Sequence, residues 1–360
     1  MKKQHQIFFD FLQFCIGSAK EIPYSLKEAD WKELYAIAQK QALVGILFDG
    51  IQRLPSSDVG ISRELILQWM AQCQMLEKAN MRLNDAAIQV SEWFWKKGFR
   101  TCILKGQGNA LLYPNGLHRT PGDIDIWVDG GDKRVISFVR SISPHEKACY
   151  HHIEFPSYKG VEVEVHYRPS FLLCFWHNRR LQKYYERVKE EQFLHRVMLG
   201  EQGEVAIPTM EFNLIFQLTH IYAHLMNEGI GLRQLLDYYF VLLHADIKNV
   251  VELQRKLKHF GLWKFAGAIM YIMQEVFGMP ASRLIVPPNE KYGKFVLNEV
   301  LEAGNFGRHD ARNRFGRSKF GHNLQRVYRD IRLMRYFPGE AMSEPFFRVW
   351  HFFWRFKHKR

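Results

Sequence analysis

This 360-residue sequence predicts an α+β fold, a small mixed β-sheet core embedded in N- and C-terminal helical regions. Three observations predict it. Apolar residues recur at three- and four-residue spacing up to position 97, alternate with period two within 99–167, and return to helical spacing after 175. The composition is 47% hydrophobic and 14% aromatic with 24% charged residues, enough apolar chain to bury a core and too much for a disordered one. No run reaches the ~20 apolar residues that span a bilayer. The expectation is therefore a cytoplasmic protein with no transmembrane segment, divided into 1–97, 98–174 and 175–360.

The elements follow in order. Residues 1–20 begin like a short signal peptide, but Asp10 and Gln13 interrupt the apolar body, and Phe8, Phe11, Leu12 and Cys15 fit one face of a helix. A helix pair is predicted over 28–53, ended by Leu-Pro-Ser-Ser at 54–57. The clearest helix covers 62–97, with Ser62 as its cap, Gly98 as its stop, and Leu65, Trp69, Cys73, Leu76, Leu83, Ala86, Val90 and Trp93 along one stripe. Phe99–Leu104 and Asp123–Val128 read as strands, and 151–155 with 161–167 as a hairpin about 156–160. Short helices are predicted near 108–112 and over 131–142. Beyond 175, helices are predicted over 179–196, 210–226, 231–245, 248–259, 262–277 and 290–303.

Charge and cysteine content narrow the chemistry. Lys and Arg number 50 against 37 Asp and Glu, a net +13. Residues 305–360 hold fourteen Lys and Arg against four Asp and Glu, ten of the thirteen excess charges. Any polyanion contact is thus expected through 305–360 and not across the whole surface. The five cysteines are scattered without a CxxC pair, which argues against a zinc knuckle or a disulfide framework.

The stretch that carries chemistry runs Ile103-Leu-Lys-Gly-Gln-Gly108, then Arg119-Thr-Pro-Gly-Asp-Ile-Asp-Ile-Trp127, then Val161-Glu-Val-Glu-Val-His-Tyr167. Alternation in a strand puts Asp123 and Asp125 on one face, ~7 Å apart, and the isoleucines on the other. Glu162, Glu164 and His166 likewise share a face opposite Val161, Val163 and Val165. Paired strand carboxylates can share hard divalent cations, Mg²⁺ or Mn²⁺, which also take oxygens from a polyphosphate. A lone Asp-x-Asp more often marks a solvated face. The lysine-glycine turn before it and the acidic strand after it favour a site. No GxGxxG or GxxxxGK[ST] is present, so dinucleotide-fold and P-loop sites are not expected.

This combination resembles the nucleotidyltransferase superfamily with its polymerase-beta-like fold. The wording LKG…YP…R…GDIDI…VEVEVH…GLRQLLDYY is similar to an uncharacterised bacterial nucleotidyltransferase family, over most of the chain. The resemblance implies a nucleotidyltransferase core, nucleotide (ATP or another NTP) as substrate, and magnesium. It implies Asp123, Asp125 and Glu164 as catalytic metal ligands, with Glu162 in reserve. It also implies Lys105, Gly106, Arg119, Gly122 and Arg233 on the nucleotide, and places His166 and Asp237 at motif positions. The superfamily's glycine-serine turn is absent, Gly106 lying between Lys105 and Gln107.

The implied reaction moves a nucleoside monophosphate from an NTP to an acceptor, releasing pyrophosphate. The sequence leaves the acceptor open among a small molecule, a glycan precursor, RNA and a protein. Two alternatives stand beside it: a toxin-like or antibiotic-modifying enzyme acting on RNA or an aminated sugar, and a non-catalytic nucleotide- or nucleic-acid-binding module. His166 either orients Glu164 or is a buried, satisfied histidine. Arg233 and Asp237, four apart, either pair along a helix or place Arg233 on the nucleotide with Asp237 holding it. His220 and His224 have zinc spacing without an accompanying HExxH glutamate, so zinc is not expected there. The aromatic and cationic segment 346–360 is expected to pack on the body with a basic exposed face, apart from the chemistry, with nucleic-acid or membrane-surface contact as the alternative.

Overall fold

The computed structural model describes residues 3–55, 60–201, 203–310, 312 and 319–358. The predicted loop residues 56–57 lie outside them. Helix α1 (Lys3–Ile16) buries Phe8, Phe11, Leu12 and Cys15, as their spacing requires. Helix α2 (Trp31–Gln41) is capped by Asp30, whose carboxylate accepts from the Lys32 and Glu33 amides, and α3 (Val44–Ile51) follows almost at once. The 34-residue α4 (Arg63–Lys96) starts at the Ser62 cap and stops before Gly98, whose φ is +79°. Its first half packs Leu65, Trp69 and Cys73 among helices, while its second half packs Leu83, Ala86, Val90 and Phe94 against a sheet.

The chain then supplies β1 (Thr101–Ile103), α5 (Gln107–Ala110), β2 (Ile124–Val128), α6 (Gly131–Ile142), β3 (His152–Tyr158) and β4 (Val161–His166). These form a four-stranded mixed sheet in the order β1-β2-β4-β3, in which β2 and β4 run parallel and the other pairs antiparallel. The first strand is shorter than predicted because Phe99 turns back to pack on Phe94 and Phe138. Period-two alternation sorts the two faces. Ile103, Ile124, Ile126, Val163 and Val165 meet the second half of α4 and Val135 and Val139 of α6. Cys102, Leu104 and Trp127 point the other way, into the larger helical core.

That core is completed by α7 (Phe175–Leu194), α8 (Met210–Asn227), α9 (Leu232–His244), α10 (Val250–His259), α11 (Trp263–Glu275) and α12 (Glu290–Ala303), followed by α13 (Lys319–Met334) and α14 (Pro338–Lys357). The N-terminal helices join it directly. Gln41, 1% exposed, donates to the Val300 carbonyl and accepts from the Leu232 amide. One predicted boundary is corrected: the helix expected to reach 196 ends at Leu194. A small antiparallel hairpin, β5 (Arg196–Leu199) with β6 (Gly203–Ala206), then lies beside β1.

Candidate active site

Parallel pairing of β2 with β4 places Asp125 directly beside Glu164, and Trp127 beside His166. The neighbours of this face therefore include both acids and the histidine. Asp123, at the entry to β2, completes a group in which one carboxylate oxygen from each of Asp123, Asp125 and Glu164 lies within 4.8 Å of the others. Three hard oxygen donors at that spacing fit a divalent cation such as Mg²⁺. Glu162 shares the face but is exposed and stands outside this group.

Two cations answer the carboxylates. Lys105 Nζ lies 3.0 Å from Asp125 Oδ2 and 3.2 Å from His220 Nε2. His166 presents Nε2 to Asp125 Oδ1 at 2.9 Å and Nδ1 to the Arg168 carbonyl at 3.3 Å. Both ring nitrogens face acceptors, so both must donate and the ring is an imidazolium. Burial works against that charge, but the hydrogen bonds to Asp125 and Glu164 outweigh it and raise the His166 pKa to about 9. Burial likewise pushes the Asp125 carboxyl up, yet Lys105 and His166 more than offset it and hold the group below its ordinary range. Glu164 is held low in the same way by His166 and His152, each 3.4 Å from its Oε2. His220 is driven well below its usual value by burial and then by Lys105, so it accepts from the lysine as a neutral ring.

The loop that delivers Asp123 is pinned from three sides. Asn80 of α4 donates to the carbonyls of Leu117 and Arg119 at 2.7 and 2.8 Å. Thr120 donates to the Ala42 carbonyl at 2.7 Å, and Arg233 Nη1 donates to the Thr120 carbonyl at 2.9 Å. Here three sequence expectations are corrected. Arg119, 3% exposed, does not project toward the acids; its Nε and Nη2 both donate to Asp237 at 2.7 Å. Tyr113 adds a third bond to the same carboxylate at 2.6 Å. With Asp237 occupied by Arg119, Arg233 neither pairs with it along α9 nor hangs on it to reach a nucleotide. Its guanidinium stacks over Phe306 at 5.3 Å and braces the loop instead. Burial, reinforced by Arg119, lowers the Arg233 pKa to about 10. Gly106 is buried with a φ of +64°, and a Cβ there would stand 3.7 Å from the Asp123 carbonyl, so it sits behind the loop. Gly122 lines the cleft itself.

Above the acids opens a cleft of about 1000 Å³. Its floor includes Lys105, Asp123, Asp125 and Glu164, and its walls carry Arg82, Arg308, Arg326, Arg348 and Arg355. Four of these five arginines come from 305–360, and His351 joins them. The expectation that this basic segment stands apart is therefore corrected: α14 turns its charged residues onto the site. Spacing in the sequence held the signal, since 348, 351 and 355 share one helix face, but nothing local says whether that face looks to water or to protein. His152 was also missed; only the β3–β4 register places it opposite His166 and beside Glu164.

Comparison with known proteins agrees with the geometry. No curated protein and no solved structure matches the chain. A family model described as an uncharacterised nucleotidyltransferase matches residues 27–278, a span that contains the three carboxylates, Lys105 and the pinned loop. On that match, over more than half of its length, the chain belongs to this uncharacterised nucleotidyltransferase family.

Proposed function

We propose that the cleft transfers a nucleoside monophosphate from an NTP to an acceptor and releases pyrophosphate, with Mg²⁺ or Mn²⁺ held by Asp123, Asp125 and Glu164. The observation that carries this reading is the convergence of three carboxylates from two parallel strands at the floor of an arginine-walled cleft. A bound divalent cation would polarise the phosphate oxygens and neutralise charge on the leaving pyrophosphate. The chain's own part is positional. Lys105 and His166 keep Asp125 ionised and aimed, and the brace of Asn80, Thr120 and Arg233 fixes where Asp123 stands. The wall arginines supply forked donors for the β- and γ-phosphates, the role expected of Arg119. Glu164, held as a carboxylate below its usual range, suits a metal ligand better than a general base, because it retains a proton weakly. The acceptor oxygen attacks the α-phosphorus and the α–β anhydride bond breaks, its proton passing to water in the open cleft.

Asp123→Asn gives the cleanest test. Lys105 and His166 are held by Asp125, so an isosteric amide at half-buried Asp123 keeps both of those ion pairs. The full chain incubated with Mg²⁺, each labelled NTP and a cell extract should release pyrophosphate and label one product. Asp123→Asn should reduce that by ~10²–10³-fold with an unchanged melting curve. Magnesium-dependent nucleotide binding without pyrophosphate release would instead identify a binding module.

A further inference from the structure

Helix α14 is amphipathic in the unusual sense. Its polar residues Glu340, Glu344, Arg348, His351 and Arg355 recur at three- and four-residue spacing. Glu340 and Glu344 are buried, and the other three line the cleft. The opposite stripe, also at helical spacing, is apolar and faces outward: Met342, Phe346, Val349 and Phe353 are 56, 78, 60 and 64% exposed, with Trp350 at the edge. A helix that packs on a globular body in water normally points these residues the other way. The partner helix α13, packed against α14, adds exposed Leu324, Val327, Ile331 and Met334. Contiguous apolar surface of this kind marks a surface that something covers.

We propose that α13 and α14 dock on an anionic lipid surface, with the outward stripe of α14 lying in the headgroup–acyl boundary. Charge selects this occupant. Arg308, Arg326, Arg348 and Arg355 line the cleft, but Arg335 and Lys357 are exposed near the ends of the apolar stripes. An anionic bilayer offers both an apolar boundary and the counter-charge. A second copy of the chain would bring the exposed Arg335 and Lys357 of both copies into one interface, which repulsion opposes. A nucleic acid needs cations across its contact face, and the stripe from Met342 to Phe353 holds none. Among the described residues no helix is long and apolar enough to cross a membrane, so the helix lies on the surface. The same helix walls the cleft with its other face, so docking would hold the cleft close to the headgroups.

Vesicle co-sedimentation of the full chain tests this, and its readout does not depend on the transfer reaction. The protein should pellet with equimolar phosphatidylglycerol–phosphatidylcholine vesicles at low salt and not with phosphatidylcholine alone. Phe346→Asp and Phe353→Asp, both at exposed positions, should each weaken binding roughly tenfold with unchanged circular dichroism. Arg335→Glu with Lys357→Glu keeps the apolar stripe and should weaken binding while flattening its salt dependence. Three results would overturn the proposal. The chain could stay in the supernatant with anionic vesicles. The aspartate variants could pellet like the parent. Light scattering could show a dimer that Phe353→Asp dissociates, which would assign the stripe to a second copy.

Discussion

His118 shows how much one side chain can hold in this molecule. Its Nδ1 lies 2.6 Å from Asp49 Oδ1 and its Nε2 2.9 Å from Glu77 Oε1, so the ring bridges α3 and α4 as an imidazolium. The bond to Asp49, with help from Glu77 and against burial, raises its pKa above the ordinary 6.5. A raised folded-state pKa stabilises the fold fully below 6.5 and progressively less as pH climbs through the folded value. Thermal melts should therefore show His118→Asn trailing the parent most below 6.5, with the gap closing at alkaline pH. A gap that widens with pH would contradict the bridge. The Arg119–Asp237 pair leads to a different expectation. Both partners are buried, so Arg119→Ala leaves an uncompensated carboxylate and should cost about 3–5 kcal/mol of stability. Because Arg119 is turned away from the cleft, calorimetry on the folded variant should find Mg-NTP affinity nearly intact; a selective loss of affinity would return Arg119 to the nucleotide.

Among the elements, α3 and the turn at 116–118 approach most closely through Gly45. A Cβ on Gly45 would overlap the carbonyl oxygen of His118, a backbone atom that cannot swing aside. Gly45→Ala should destabilise by about 1–3 kcal/mol through overpacking, measured by urea unfolding with the m-value unchanged. It should also loosen the Asn80-braced loop that follows. Legibility differs between elements for physical reasons. Helix α4 and strands β2 and β4 were readable because each repeats a period over enough residues to declare which face is apolar. The β5–β6 hairpin was not, since strands of four residues, Arg196–Leu199 and Gly203–Ala206, hold barely two periods of alternation. Helix α14 was half readable: its two faces are plain in the sequence, but their orientation is opposite to the expected one.

Across the whole molecule, one apolar cluster runs from α1 through α3, α8 and α9 to residues of α13 and α14. Gln41 ties its ends, serving the Val300 carbonyl and the Leu232 amide where neither can reach water. Gln41→Ala should leave the buried Leu232 amide unpaired, while the Val300 carbonyl keeps the Gly304 amide, and cost about 1–3 kcal/mol. Far-ultraviolet circular dichroism and tryptophan fluorescence should still trace one coincident unfolding transition; separate transitions would mean that the N-terminal helices unfold alone. Local pattern alone was enough for the α+β class, the placement of β1 to β4, and the segregation of Asp123, Asp125 and Glu164 onto one face of their strands. These are local properties, set by alternation and helical spacing within a single element. Tertiary structure alone decided that β2 and β4 are parallel neighbours with Asp125 against Glu164, and that Asp237 takes Arg119. It also decided that Arg348 and Arg355 of α14 line the cleft while Phe346 and Phe353 look outward. Those outcomes depend on which distant surfaces meet, and a charged or apolar residue carries no local mark of the partner that burial will give it.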